Sequence, residues 1–170
     1  MAMIDAVVME LNQEAPVTRR HLERVPEGKL SWRPHPKSSS VGQLALHLAQ
    51  LPGAVSTAAA LEVFELPDFQ QAQPESLAEI LETFESSLST AREVLSRMDD
   101  RMLMGTWTVQ DKGRLVMSLP RAAMLRSLLL NHYCHHRGQL SVYLRLLDVP
   151  VPSSYGPTAD ESPFTAAAAG

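Results

Sequence analysis

The stretch from Asn131 to Leu147 reads NHYCHHRGQLSVYLRLL, and its periodicity decides the fold. Leu125, Leu128, Leu129, His132, His136, Gln139, Leu140, Tyr143 and Leu147 recur at helical spacing and predict a helix from Pro120 to about Leu147. Pro120 suits the first turn, and Pro150 and Pro152 follow the end. His132 and His136 are four residues apart, so they project from one face, one turn apart. Two imidazoles at this spacing hold one metal ion in other helical sites. A third, His47, lies in SVGQLALHLAQL, residues 40–51, on a stripe with Leu44, Leu48, Leu51 and Val55. Three histidines from two helices suffice for a first-row metal and leave coordination positions open for chemistry.

Outward from these two segments the chain reads as four helices. The first covers about Met3 to Val25, with Ile4, Val8, Leu11, Ala15, Thr18 and Leu22 on one face and a kink expected at Pro16. A loop with Pro34 and Pro36 follows. Ser40 with Gln43, and Ser76 with Glu79, match capping boxes that open the second and third helices. Pro52 and Gly53 fall inside the second helix and strain its middle. Leu77, Ile80, Leu81, Phe84, Leu88, Ala91, Leu95 and Met98 carry the third, which Asp99 and Asp100 end. Residues 106–109 and 115–117 predict a small hairpin around Lys112-Gly113. The fold class expected is therefore all-α, an antiparallel four-helix bundle.

The chain has 170 residues, enough for one core, with 45% hydrophobic and 20% charged residues as in a soluble globular protein. A net charge of −4 leaves no broad basic footprint, so no nucleic-acid partner is expected. No apolar run reaches the roughly 20 residues of a membrane span. No signal peptide is seen in the opening MAMIDAVVMELNQEA. The single cysteine, Cys134, excludes an intramolecular disulfide, which fits a cytoplasmic location. No Asp or Glu occurs from Gly28 to Leu61 or from Lys112 to Leu147, the two stretches that contain the three histidines. Neutral imidazoles there leave a dication uncompensated, which favours an anionic fourth ligand: hydroxide, thiolate or carboxylate.

Two blocks, ERVPEGKLSWRPHPKSSSVGQLALHLAQL and NHYCHHRGQLSVYLRLLDVPVPSSYGPTADE, resemble the DinB/YfiT-like superfamily of damage-inducible proteins. The HHRGQ string is the specific part. The resemblance runs to Glu161, implying one domain over residues 1–161 and a flexible tail over 162–170. It implies a four-helix bundle, often a homodimer, with one divalent metal ion per chain, zinc or nickel, on His47, His132 and His136. Some relatives are thiol-dependent transferases that use a low-molecular-weight thiol cosubstrate; others are described as metal-dependent hydrolases. A dimer would also cover Val7, Met9, Leu130 and Val142.

Other residues are weighed against this site. His135 offers an alternative pair with His132 at three-residue spacing; the four-residue spacing and the resemblance favour His136. Cys134 should point away from the metal, roughly 200° around the helix from either ligand. Arg137 either binds a substrate anion or forms a surface salt bridge, and Gln139 either hydrogen-bonds near the site or packs. These two are the pocket candidates. Trp32, Trp107 and Tyr155 are expected to cover the bundle ends, His21 and His35 to lie near the surface, and Asp160 and Glu161 to sit on a solvated tail. The function expected is a metal-dependent enzyme that activates a thiol or water for attack on a small electrophilic substrate. The alternatives are a metal-dependent hydrolase and a non-catalytic, stress-associated metal-binding bundle. Tyr133 occupies the position of the general-base glutamate in a His-Glu-x-x-His protease, so no local carboxylate serves as base. Thiol transfer therefore ranks above hydrolysis, because a thiol ionises far more easily than water.

Overall fold

Ser40 and Gln43 close their capping box reciprocally: Gln43 N donates to Ser40 Oγ at 3.1 Å and Ser40 N to Gln43 Oε1 at 3.0 Å. This starts α2 (Val41–Ala60), one of the long helices in the computed structural model, which describes residues 2–68 and 70–164. The others are α1 (Met3–Glu23), α3 (Leu77–Leu95) and a continuous C-terminal rod. The rod consists of α5 (Arg121–Met124), π-helical turns over Leu125–Asn131, and α6 (His132–Leu146). A short α4 (Asp100–Met104) precedes the sheet, capped by Asp99, which accepts from Met102 N at 2.7 Å. Asp99 and Asp100 thus begin a further helix rather than ending α3.

Both proline-bearing helices continue through their prolines. In α2 the remedy is visible. Pro52 disturbs the local ladder, and Ser87 of α3 bridges it. Its Oγ accepts from Gly53 N at 2.8 Å and donates to Gln50 O at 3.0 Å. A Cβ at Gly53 would stand 3.0 Å from Ser87 O, so the close approach of the two helices requires glycine there.

Paired residues give the helix directions. Asn12 meets Arg92 and Arg19 meets Glu85, so α1 and α3 run antiparallel. His47 faces His132 and His136 while Ala59 meets Arg121, so α2 and the rod are antiparallel. Ser40 meets Gln73 and Gly53 meets Ser87, so α2 and α3 run parallel. Glu10 meets Arg126 and Glu14 meets Arg137, so α1 and the rod run parallel. The expected antiparallel four-helix bundle is corrected accordingly: the four long helical elements pack as two parallel and two antiparallel neighbours. The segment between α2 and α3 must return along the bundle, which is why it is long.

The all-α expectation is corrected as well. The fold is mostly helical but carries a three-stranded sheet in the order β1-β2-β3. Strand β1 (Val63–Glu65) lies in the α2–α3 return and pairs parallel with β2 (Thr106–Asp111), while β2 pairs antiparallel with β3 (Arg114–Pro120). The β2–β3 turn is Lys112-Gly113, with φ of 51° and 76°, the left-handed pair that a two-residue hairpin demands. Trp107 is buried under the sheet, stacks on Phe64 and donates to Ala58 O at 2.9 Å, so it is core rather than a bundle-end cover. Arg121 is also buried, without a carboxylate partner among the described residues. It donates to Ala59 O at 2.5 Å, to Leu61 O at 3.0 Å and to Met102 O, so the charge rests against carbonyls at the C-terminal ends of α2 and α4.

The stretch after α6 is held, not solvated. Val151 N donates to Asp160 Oδ2 at 2.8 Å, and Arg145 pairs with the same carboxylate. Glu161 accepts from Ser153 N at 3.0 Å and pairs with Arg24 at 2.5 Å and Arg20 at 3.2 Å. These contacts depress both carboxyl pKa values: Arg145 and then the Val151 amide act on Asp160, the Ser153 amide foremost on Glu161. Of the tail expected to be flexible, residues 165–170 lie outside the described residues. Among the described residues no helix is long and apolar enough to cross a membrane.

Candidate metal centre

The π-helical turns end at Asn131, and regular α-helix resumes at His132. From there the four-residue spacing brings His132 and His136 onto one flank of α6, facing His47 of α2. One ligand nitrogen from each of the three lies within 4.8 Å of the others, within reach of a single ion. The ring centroids are 4.4 Å apart for His132–His136, 4.7 Å for His47–His136 and 5.6 Å for His47–His132. His135 packs against the His136 ring at 5.0 Å but is exposed and stays outside the cluster.

The outer hydrogen bonds set the tautomers. His136 Nδ1 lies 2.7 Å from Gln139 Oε1, so Nδ1 carries the proton. His132 is anchored to the backbone of Leu128. Each ring then turns its other nitrogen, Nε2, toward its neighbour, and the two stand 2.7 Å apart. Two imidazole lone pairs at that distance repel unless a proton or cation lies between them. The donor set, with outer nitrogens tied to protein oxygens, fits a divalent metal. The histidines also resist protonation. Burial, reinforced by His136 and His132, lowers the pKa of His47 to about 4. Burial foremost, with repulsion from neighbouring imidazoles, lowers those of His132 and His136. Neutral imidazole is the ligating form.

The two pocket candidates part company. Gln139 holds His136. Arg137 does not join the cluster: it is 2% exposed and is directed toward α1. It pairs with Glu14 at 2.5 Å and donates to Thr18 Oγ1 at 3.2 Å and Tyr155 OH at 2.5 Å. The buried stripe of α6 is Tyr133, Arg137, Leu140 and Leu144, one residue around from the stripe expected. The error came from treating a charged residue as outward-facing. Cys134 is on this second side too, 3.0 Å from Tyr155 OH, and points away from the cluster as expected. Tyr155 and the Asp160 and Glu161 carboxylates are likewise engaged away from the histidines. Trp32 packs edge-on against Tyr143 at 5.8 Å.

His21 is corrected from surface to core: it is fully buried, with Nδ1 2.8 Å from Val17 O. His35 is exposed as expected. Sequence reasoning missed a glutamine group beside His47. Gln43, Gln50, Gln70 and Gln71, with Leu46, Ala72 and His47, line a recess of about 60 Å³. Gln43 and Gln50 are one turn before and after His47 on α2, a signal that was available in the sequence; Gln70 and Gln71 come from the α2–α3 return.

The model of the DinB family matches residues 3–165. The chain belongs to the DinB family. It is similar to the uncharacterized protein YrdA of Bacillus subtilis (strain 168), 24% identical over 150 residues, covering 87% of this chain and 85% of that protein. A DinB-like protein from Bacillus cereus ATCC 10987 matches with a TM-score of 0.72 and 25% identity, over 91% of this chain and all (100%) of the other. The DinB-like protein YjoA from Bacillus subtilis matches with a TM-score of 0.65 and 14% identity, over 92% and 99%, a likeness of fold alone.

Proposed function

We propose that His47, His132 and His136 hold one divalent metal ion, zinc or nickel, and that this DinB-family chain is an enzyme acting on a small electrophilic substrate. The observation that carries the reading is the pair of Nε2 atoms 2.7 Å apart, whose rings are anchored through their far sides by Gln139 and Leu128. A bound dication would lower the pKa of a coordinated water or thiol and leave the nucleophile ionised near neutral pH. The chain's own part is to present three neutral imidazoles and fix their orientation.

Thiol transfer, with a low-molecular-weight thiol as cosubstrate, is favoured over hydrolysis. Hydrolysis benefits from a carboxylate that takes a proton from water. The carboxylates that a tail might deliver, Asp160 and Glu161, are paired with Arg145, Arg20 and Arg24 away from the histidines. Tyr133 is fully buried, and burial raises its pKa, so its phenol is no base. We further propose a cytoplasmic homodimer. Exposed Met9, Val142 and three consecutive β3 residues, Leu115, Val116 and Met117, favour it, whereas Leu130 is buried in the protomer.

The test is elemental analysis of protein purified without added metal, followed by conjugation of bacillithiol, mycothiol or glutathione to an electrophile. One metal per chain and a metal-dependent acceleration, both lost in His136→Ala, are expected. Metal-dependent ester or amide cleavage without thiol conjugation would reverse the ranking. Absence of stoichiometric metal would overturn the reading.

A further inference from the structure

Among the described residues, no charged side chain lines the recess beside His47. Two of its glutamines are structural. Gln43 donates to Gln71 O at 3.1 Å and accepts from Ser40 N; Gln71 donates to Gln43 O at 3.3 Å and accepts from Ser39 Oγ at 2.6 Å. Together they clip the α2–α3 return onto α2 and build the wall. Gln50 and Gln70, by contrast, carry carboxamides with no hydrogen bond among the described residues. Each therefore offers a donor pair and an acceptor to whatever enters. At about 60 Å³ the recess takes roughly the volume of two waters, hence a substituent rather than a whole substrate. Gln50 also lines a larger, open groove of about 710 Å³ between α2 and α3, floored by Gly53, Ala54 and Ala58, so the rest of a molecule has a way out.

We propose that this recess is a recognition subsite for an uncharged hydrogen-bonding group, a carboxamide in preference to a carboxylate, on the molecule that reacts at the histidine cluster. Gln50 and Gln70 are the selecting residues. A carboxamide matches a glutamine side chain donor to acceptor in either orientation. A carboxylate entering the recess loses water and meets no cationic side chain among the described lining residues, since Arg137 is directed toward α1. The inference rests on the metal reading above, because the reacting end of the molecule is placed at the metal.

The experiment uses full-length protein loaded with cobalt(II), titrated with 2-mercaptoacetamide and with mercaptoacetate. These probes share a thiol and differ in the group beside it. Binding is read from the thiolate-to-cobalt absorption. In Gln50→Leu and in Gln70→Leu, affinity for the amide should fall about fivefold, the equivalent of one net hydrogen bond. Affinity for the acid should change less than twofold, and cobalt should remain stoichiometric. An equal fall for both probes, or no fall for either, with cobalt still bound, overturns this inference alone. A native protein that takes up no cobalt overturns the metal reading and this inference with it.

Discussion

Helix α6 presents two faces within two turns, and they are built on opposite rules. One carries His132, His136 and Gln139; the other carries Tyr133, Arg137 and Ser141, with Cys134 at its margin. On the second face the strong charge is matched inside the protein: Arg137 meets Glu14, Thr18 and Tyr155, and Ser141 Oγ donates to Arg137 O. On the first, only the outer nitrogens are tied to protein oxygens, while the inner ones converge. A residue's type says little about which face is functional. Arginine, the obvious anion binder, is here a bolt between α6, α1 and the tail, whereas the uncharged Gln139 supports the candidate chemistry.

The comparison is broken most completely on the histidine face. His132→Ala should lower metal content from about one ion per chain to a trace while the protein stays folded, checked by elemental analysis beside circular dichroism. His21→Ala should leave metal content unchanged. On the other face, Arg137→Ala leaves the half-buried Glu14 with the Tyr155 hydroxyl but no cation, and should cost about 3 kcal/mol in denaturant unfolding. Whatever fraction folds should still bind metal. Should Arg137→Ala abolish metal at full stability, the division of roles fails.

A finer test is Gln139→Leu, which removes the acceptor for His136 Nδ1 without touching a ligating nitrogen. Metal affinity should fall about tenfold in a competition titration, the usual scale for an outer-shell partner. The smallest effect concerns pH. Burial lowers the pKa of His21, with nearby Arg137 adding to the shift against the Val17 hydrogen bond. The unfolded chain therefore takes up this proton first. The contribution of neutral His21 is present above its ordinary pKa of about 6.5 and is lost as pH falls from there through the lowered value. Urea midpoints between pH 7.5 and 5 should decline, and His21→Gln should flatten part of that slope. The carboxylates Asp160 and Glu161, held low by their partners, act only at more acid pH.

Much of this was legible in the residues. The capping serines sit where helices start, Ser40 with a full box and Ser76 with half of one, since Glu79 turns to Glu75 N instead. The Lys112-Gly113 turn was readable because left-handed φ values leave few choices of residue. Arg137 and His21 were misplaced for a shared reason. A polar residue is read as outward from its own hydropathy, and its partner, Glu14 or the Val17 carbonyl, is chosen by packing. Strand β1 was missed because three residues carry too little pattern, and its pairing partner lies more than forty positions along the chain, with Val63 beside Thr108.

The sequence by itself determined the long helices, the turn and the three histidines, because periodicity and caps are local and act through spacings of two to four residues. Tertiary structure alone decided that α2 and α3 run parallel, that Arg121 ends against carbonyls and that Arg137 ends against Glu14. It also decided that glutamines from two distant segments meet beside His47. Helix direction is set by how far a connection reaches, and a buried polar group by the partner that replaces its water. Both depend on elements remote in the chain, and no local pattern encodes them.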